Sequence, residues 1–223
     1  MKRIELLASL AKDSKCLADI GCDHGLISIT AVLKYNVQHA YACDVNQMPL
    51  NSALKNINAN SLADKIVTIL SNGYENVCFN FDTTIIAGMG GGLIIDILSN
   101  YIDKLRNKKI ILQPNKDAYM LRAFMQKNDF SLNEEYAIYD YNKYYEILVY
   151  ESGKTYFSDL ELKYGPLLMK NKEENFIKRI SFKRDALNKS LKLAKQSVNI
   201  CNIQKQIVEI DEVLNDGKDN ASK

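Results

Sequence analysis

A glycine-rich loop and two strand-end carboxylates near the N-terminus have the spacing of a ligand cradle. Ala18-Asp19-Ile20-Gly21-Cys22-Asp23-His24-Gly25 joins an apolar run, Cys16–Ile20, to a helical stretch. Glycine at such a turn lets the backbone bend sharply and approach a ligand closely. Asp44 closes a second apolar run, His39–Asp44, and is followed by Val45 and Asn46. A carboxylate at the tip of the neighbouring strand suits a bidentate grip on a ribose diol. A dinucleotide site wants G-x-G-x-x-G, because the pyrophosphate must reach a helix N-terminus. Gly21-x-x-x-Gly25 lacks that spacing. Asp19 and Asp23 would repel a pyrophosphate but tolerate a cationic cofactor, which favours S-adenosyl-L-methionine, with its sulfonium and ammonium groups. The bland alternative is that Asp19 caps the next helix and the glycines only turn the chain.

Three further clusters fall after apolar runs. Ser71-Asn72-Gly73 offers an amide for an adenine edge. Ala87-Gly88-Met89-Gly90-Gly91-Gly92 allows close backbone approach, or close packing of a helix on a sheet at Gly91 and Gly92. Gln113-Pro114-Asn115 supplies two more amides. Singly each is an ordinary turn; together they line one cleft beyond the carboxyl ends of a sheet, where open α/β sheets bind ligands.

The elements needed to bring them together are legible in the periodicity. Strands are expected at 16–20, 39–44, 65–70, 83–87 and 109–112, and helices at 26–35, 48–60, 93–105 and 117–127. Two last runs, Ser131–Tyr139 and Tyr144–Glu151, read as an antiparallel hairpin. Continuous apolar strands alternating with helices give an α/β class: a Rossmann-like, mostly parallel sheet covered on both faces. After Gly153 the pattern changes. Apolar residues Phe176, Ile180, Leu187, Leu191, Ala194 and Val198 form one series, and Ile203, Ile207, Ile210 and Leu214 a second, out of step across Asn199–Asn202. A turn is expected there, making 164–216 a helical hairpin or coiled coil beside a domain of 1–153, with a frayed tail at 217–223.

Composition limits the classes. The 223 residues are 47% hydrophobic and 25% charged, with no apolar run long enough to span a membrane. No secretory signal is evident, and a cytoplasmic chain is expected. Five scattered cysteines without a Cys-x-x-Cys pair read as reduced thiols, and two histidines make a structural zinc site improbable, so no metal is expected. The net charge of +2 hides a basic stretch: residues 163–196 carry ten Lys/Arg against three Asp/Glu. Such a stretch attracts a polyanion, or is simply a solvated helix face.

The runs Asp19-Ile-Gly-x-Asp23-His24, Ile-Ala-Gly88-Met89-Gly90-Gly91, Ile-Leu-Gln113-Pro114-Asn115, Tyr145-Glu146-Ile and Tyr164-Gly165-Pro166, in that order, resemble the bacterial tRNA adenine-N1 methyltransferases that modify adenosine 22. The resemblance implies a class I fold using S-adenosyl-L-methionine, with tRNA as partner. The pattern carries over at Asp19, Gly21, Asp23 and His24, at Asp44 and Asn46, at Gly88, Met89, Gly90 and Gly91, and at Gln113, Pro114 and Asn115. With their neighbours in the same loops, the cofactor site is expected at Asp19, Gly21, Cys22, Asp44, Val45, Asn72, Gly73, Gly88, Met89 and Gly90. The third loop departs from the family's usual Gly-Asp-Gly, and Gly25-Leu26 stands where an aromatic usually follows His24.

Adenine N1 has its own lone pair, so orientation matters more than a strong base. Asp23 is the candidate to stabilise the positive charge that develops on the base. His24 would touch substrate or hold Asp23, or be a loop histidine satisfied by backbone. Asn115 and Gln113, with Pro114 between them, would hold the base edge. Lys178, Arg179 and Lys183 would contact phosphates. Dimerisation through an apolar helix face competes for the hairpin, and a monomer or weak homodimer is expected. Other readings are a class I methyltransferase with another RNA or small-molecule substrate, and a non-catalytic RNA-binding module.

Overall fold

A computed structural model describes residues 2–194 and 196–215. The expected tail at 217–223 lies outside them. The chain divides into two units, Met1–Tyr156 and Phe157–Lys223.

The first unit carries one seven-stranded sheet in the order β3-β2-β1-β4-β5-β7-β6. Its strands are β1 (Cys16–Ile20), β2 (His39–Asp44), β3 (Ile66–Leu70), β4 (Thr83–Met89), β5 (Lys109–Pro114), β6 (Phe130–Asp140) and β7 (Lys143–Ser152). The first five are parallel; β7 runs antiparallel to both β5 and β6. The helices are α1 (Lys2–Leu10), α2 (Leu26–Lys34), α3 (Gln47–Ala59), α4 (Gly91–Ser99) and α5 (Ala118–Lys127). Ile85, Ile86, Ile110, Ile111 and Leu112 of the central strands are fully buried, as continuous apolar strands covered on both faces require.

Two features differ from the sequence expectation. Lys2–Leu10 is a helix, its buried Leu7 and Ala8, with Ala11 just beyond, sharing a core cluster with Ile147 and Val149 of β7. The charged and polar residues Lys2, Arg3, Glu5 and Ser9 hide this short amphipathic face in the sequence. The stretch 93–105 is not one helix: α4 ends at Ser99, and a 3₁₀ turn covers Ile102–Leu105. The β6–β7 hairpin is pinned by a buried guanidinium. Arg122 Nε of α5 donates to Glu135 Oε1 at 2.6 Å, and Nη2 donates to Glu146, with all three residues under 10% exposed.

The second unit holds α6 (Asp159–Tyr164), α7 (Pro166–Asn171), α8 (Glu174–Leu193) and α9 (Ser197–Asn215). Ser158 and Glu161 form a reciprocal capping box at the start of α6. Helices α8 and α9 pack on each other, with Phe176, Ile180, Ile210 and Val213 buried. The hairpin turn falls between Leu193 and Ser197, not at Asn199–Asn202. Asn199 and Asn202 lie within α9, where asparagine's turn preference is overridden. The true turn carries no glycine or proline to announce it. Val198, whose spacing suggests a core position, is 69% exposed.

Candidate active site

The carboxyl ends of β1 to β5 converge on a cavity of about 620 Å³ in the first unit. Gly21, Cys22, Asp23 and His24 contribute from the loop after β1, Asp44, Val45 and Asn46 from β2, and Ser71, Asn72 and Gly73 from β3. Ala87, Gly88 and Met89 come from β4 and Asn115 from the end of β5.

The first loop is held to β2 by backbone bonds. Gly21 N–H and Cys22 N–H both donate to the Cys43 carbonyl at 2.8 Å. Gly21 has φ +76°, a conformation that calls for glycine, and a Cβ there would also have to push aside the flexible Met89 methyl. Asp44 is clamped from two sides: its Oδ2 accepts the Asp23 N–H at 3.3 Å and its Oδ1 the Asn46 N–H at 2.9 Å. Both oxygens retain lone pairs for a diol. At β4 the strand register shifts at Gly88, whose φ of +80° turns the chain. The Gly88 carbonyl accepts from Asn115 Nδ2 at 2.6 Å, and Asn115 N–H donates to the Met89 carbonyl at 2.7 Å.

The site is acidic. Asp23 and Asp44 line it, and Asp19 lies buried behind the loop. Burial pushes the Asp19 carboxyl up to about 6, against two hydrogen bonds from Ser28 that pull it down. Burial, and then the carboxylates of Asp19 and Asp44, raise the Cys22 thiol far above its ordinary value, so it stays protonated and unreactive. Asp23 and His24 form only a loose pair at 3.7 Å, both largely exposed at the rim. A cationic sulfonium or ammonium fits these acids and the glycine-lined backbone; a diphosphate does not.

A model of the tRNA (adenine(22)-N(1))-methyltransferase family matches residues 17–217. The chain belongs to that family. It is 33% identical over 186 residues to the tRNA (adenine(22)-N(1))-methyltransferase of Bacillus subtilis, covering 80% of this chain and 78% of that one. It is also similar to a Streptococcus pneumoniae structure in complex with S-adenosyl-L-methionine, with TM-score 0.88 and 33% identity over 96% of this chain and 99% of that one. An M. capricolum structure in complex with S-adenosyl-homocysteine aligns at TM-score 0.83 and 28% identity, covering 96% of this chain and 97% of that one.

Within this tRNA (adenine(22)-N(1))-methyltransferase fold, four residues expected at the site stand back from the cavity wall. Asp19 is 1% exposed; its Oδ2 accepts from Ser28 Oγ at 2.7 Å and Ser28 N–H at 3.3 Å. It caps α2 from a distance because the helix's own N-cap residue, Gly25, has no side chain to do so. Gly90 precedes α4 in extended conformation and does not line the cavity. Gln113 is fully buried and Pro114 is buried at the end of β5, so neither presents a base-holding group. Gln113 instead sits between two lining residues, accepting from Arg3 Nη1 at 2.7 Å and donating to Asn115 Oδ1 at 3.2 Å. Asn72 lines the cavity, its amide nitrogen donating to Glu75 at 2.9 Å.

Lys178, Arg179 and Lys183 all lie on α8 of the second unit. Lys178 pairs with Glu174 one turn earlier. The Lys183 ammonium lies 5.1 Å from the Tyr164 ring centroid, and its pKa is lowered by burial and then by the neighbouring cations Lys163 and Arg179. Lys163 itself pairs with Glu209.

Sequence reasoning misses part of the lining: Arg3, Ile4 and Leu7 of α1, and Tyr145 of β7 as a cavity residue. The spacing of Ile4, Leu7, Ala8 and Ala11 is the available signal for the helix that carries them.

Proposed function

We infer that this chain transfers a methyl group from S-adenosyl-L-methionine to N1 of adenosine 22 in tRNA. The observation that carries the reading is the Asp44 carboxylate, clamped at the end of β2 by backbone N–H groups from its own turn and from the first loop. S-adenosyl-L-methionine, when bound, supplies a methyl group already activated on a cationic sulfur. Asp44 would accept from its ribose hydroxyls, with Gly21, Cys22 and Val45 beside it and Asn72 and Gly73 toward its adenine. Met89 and Gly88 would back the remaining side.

The residues then have to orient a base rather than deprotonate it. Adenine N1 attacks with its own lone pair, and holding the partners in line supplies about 7–11 kcal/mol of the barrier reduction. N1 lies on the Watson–Crick edge, so the nucleotide must leave its pair or stack to enter the cavity. Asn115, fixed through Gly88 and Gln113, presents an amide to that edge. The base becomes cationic as the bond forms, and Asp23 at the rim, with His24 beside it, stabilises that charge. The basic residues of α8, Lys178, Arg179 and Lys183, would hold tRNA phosphates, and a tRNA substrate makes the cytoplasm the compartment of action.

The test is transfer of labelled methyl from the cofactor to unmodified tRNA, with digestion to nucleosides and mapping by reverse-transcription stops. Label recovered as N1-methyladenosine at position 22 is the expected result. Cofactor binding with no label on any tRNA would overturn it.

A further inference from the structure

Methyl transfer leaves one charged cavity residue without a role. Arg3, on α1, lines the cavity together with Ile4, Leu7 and Tyr145, and no other arginine or lysine does so among the described residues. Its half-buried side chain is fixed in place before any substrate arrives. The guanidinium carbon lies 4.5 Å from the centroid of the Tyr145 ring, Nη1 donates to the fully buried Gln113, and the Arg3 backbone N–H donates to Asp140 Oδ2 at 3.3 Å. The remaining guanidinium N–H groups have no such partner among the described residues, and the residue lines the cavity.

A fixed cation here is badly placed for the reacting ring. The methylated base is itself positively charged, and a guanidinium near N1 would oppose its formation. A fixed cation suits an anion. The cofactor carries one, its methionine carboxylate, and the substrate brings others; the cofactor Kd of Arg3 variants separates the two. An RNA strand that delivers a base into a mouth bearing Asp23 and Asp44 brings a phosphate on each side of that base, and Arg3 is the lining group of opposite charge. Planar guanidinium donors match phosphate oxygens well.

We propose that Arg3 grips an RNA backbone phosphate flanking the target adenosine, and that Gln113 couples this grip to Asn115 at the base. Gln113 bonds Arg3 through its oxygen and Asn115 through its nitrogen, so the phosphate grip and the base-facing amide share one rigid bridge. The proposal rests on the tRNA reading above and adds a substrate interaction to it.

The experiment pairs Arg3→Ala and Arg3→Lys with tRNA carrying a single neutral methylphosphonate, placed 5′ or 3′ of the target adenosine. On unmodified tRNA, Arg3→Ala should lower kcat/KM about 30-fold or more, with cofactor Kd changed less than about twofold. Arg3→Lys should recover part of the loss, because it keeps the charge but not the fork or the stacking on Tyr145. For the wild type, neutralising one of the two phosphates should cost a similar factor, and Arg3→Ala should then cost less than about threefold on that substrate. The salt dependence of tRNA binding should also weaken by about one phosphate. Three results overturn the proposal: wild-type indifference to both methylphosphonates, an undiminished Arg3→Ala loss on both neutralised substrates, or a fall in cofactor affinity that accounts for the Arg3→Ala defect. The wild-type arm stands even if Arg3→Ala folds poorly. A wild-type enzyme that labels no tRNA at all would instead fail the tRNA reading, and this proposal with it.

Discussion

The two flanks of the cavity are built by different rules. On the β1–β3 side, each contributing residue lies within a few positions of its own strand end, and backbone N–H groups fix the key carboxylate. On the β5–β7 side, Arg3, Gln113, Asn115 and Tyr145 come from three separated parts of the chain and meet through side chains. The first flank is chemically specified by a local motif. The second exists only once the sheet has assembled and α1 has folded onto it. Damage to the first should therefore appear as lost cofactor affinity, and damage to the second as lost stability or lost handling of tRNA.

The largest expected effect is on the second flank. Arg122→Leu leaves Glu135 and Glu146 buried without their guanidinium, and Glu146 adjoins Tyr145. Removing one partner of such a buried group costs about 3–5 kcal/mol. Urea unfolding should show it, and a loss under about 1 kcal/mol would mean the hairpin is held by its apolar packing alone.

Asp44→Ala strikes the first flank. Losing a charged hydrogen bond costs about 1.5–3 kcal/mol, or roughly 10- to 100-fold in cofactor Kd by calorimetry. Stability should change much less. Unaltered affinity would remove Asp44 from the ribose site.

Asp19 gives the first flank a pH signature. Its carboxyl is raised by burial from 3.8 to about 6. The native state therefore holds this proton more tightly than the unfolded chain, and this residue's contribution to stability falls as pH rises from about 4 to 6. The full shift corresponds to roughly 3 kcal/mol. Asp19→Asn keeps an acceptor for Ser28 and should flatten that part of the stability profile, raising stability at pH 8 by about 1–3 kcal/mol. An identical pH profile for the variant would assign the slope to other groups.

The smallest effects per residue belong to the second unit. Reversing Lys178, Arg179 and Lys183 together should weaken tRNA binding and lower its salt dependence by about one phosphate for each cation removed. Cofactor affinity should stay the same. Unchanged tRNA binding would take these residues out of the interface.

How much is readable from the sequence follows the same division. The strands Cys16–Ile20 and His39–Asp44 and the loop Gly21–Gly25 are local patterns, and periodicity and glycine spacing place them where they are found. Asp19 shows the limit even there: its type and position fit a cofactor group, but its side chain turns inward to cap a helix that begins without a capping residue. Gln113 looks like a base-holding amide because strand position does not say which face of a turn a side chain takes. Arg3 cannot be found from spacing, since its partners Gln113 and Tyr145 lie more than a hundred residues away. The hairpin turn near Ala194 is hidden because it is made without the residues that usually mark one.

Strand β7 runs against its neighbours, so the chain reaches the ligand end of the sheet at a tight reversal, Tyr141–Asn142, rather than through a helical crossover. Tyr145 of β7, paired with Ile138 of β6, lies three residues past that reversal. Lengthening or shortening the reversal would reshape what greets an incoming nucleic acid while the donor half of the enzyme keeps its architecture, which makes it the natural place to retarget the enzyme toward a different RNA.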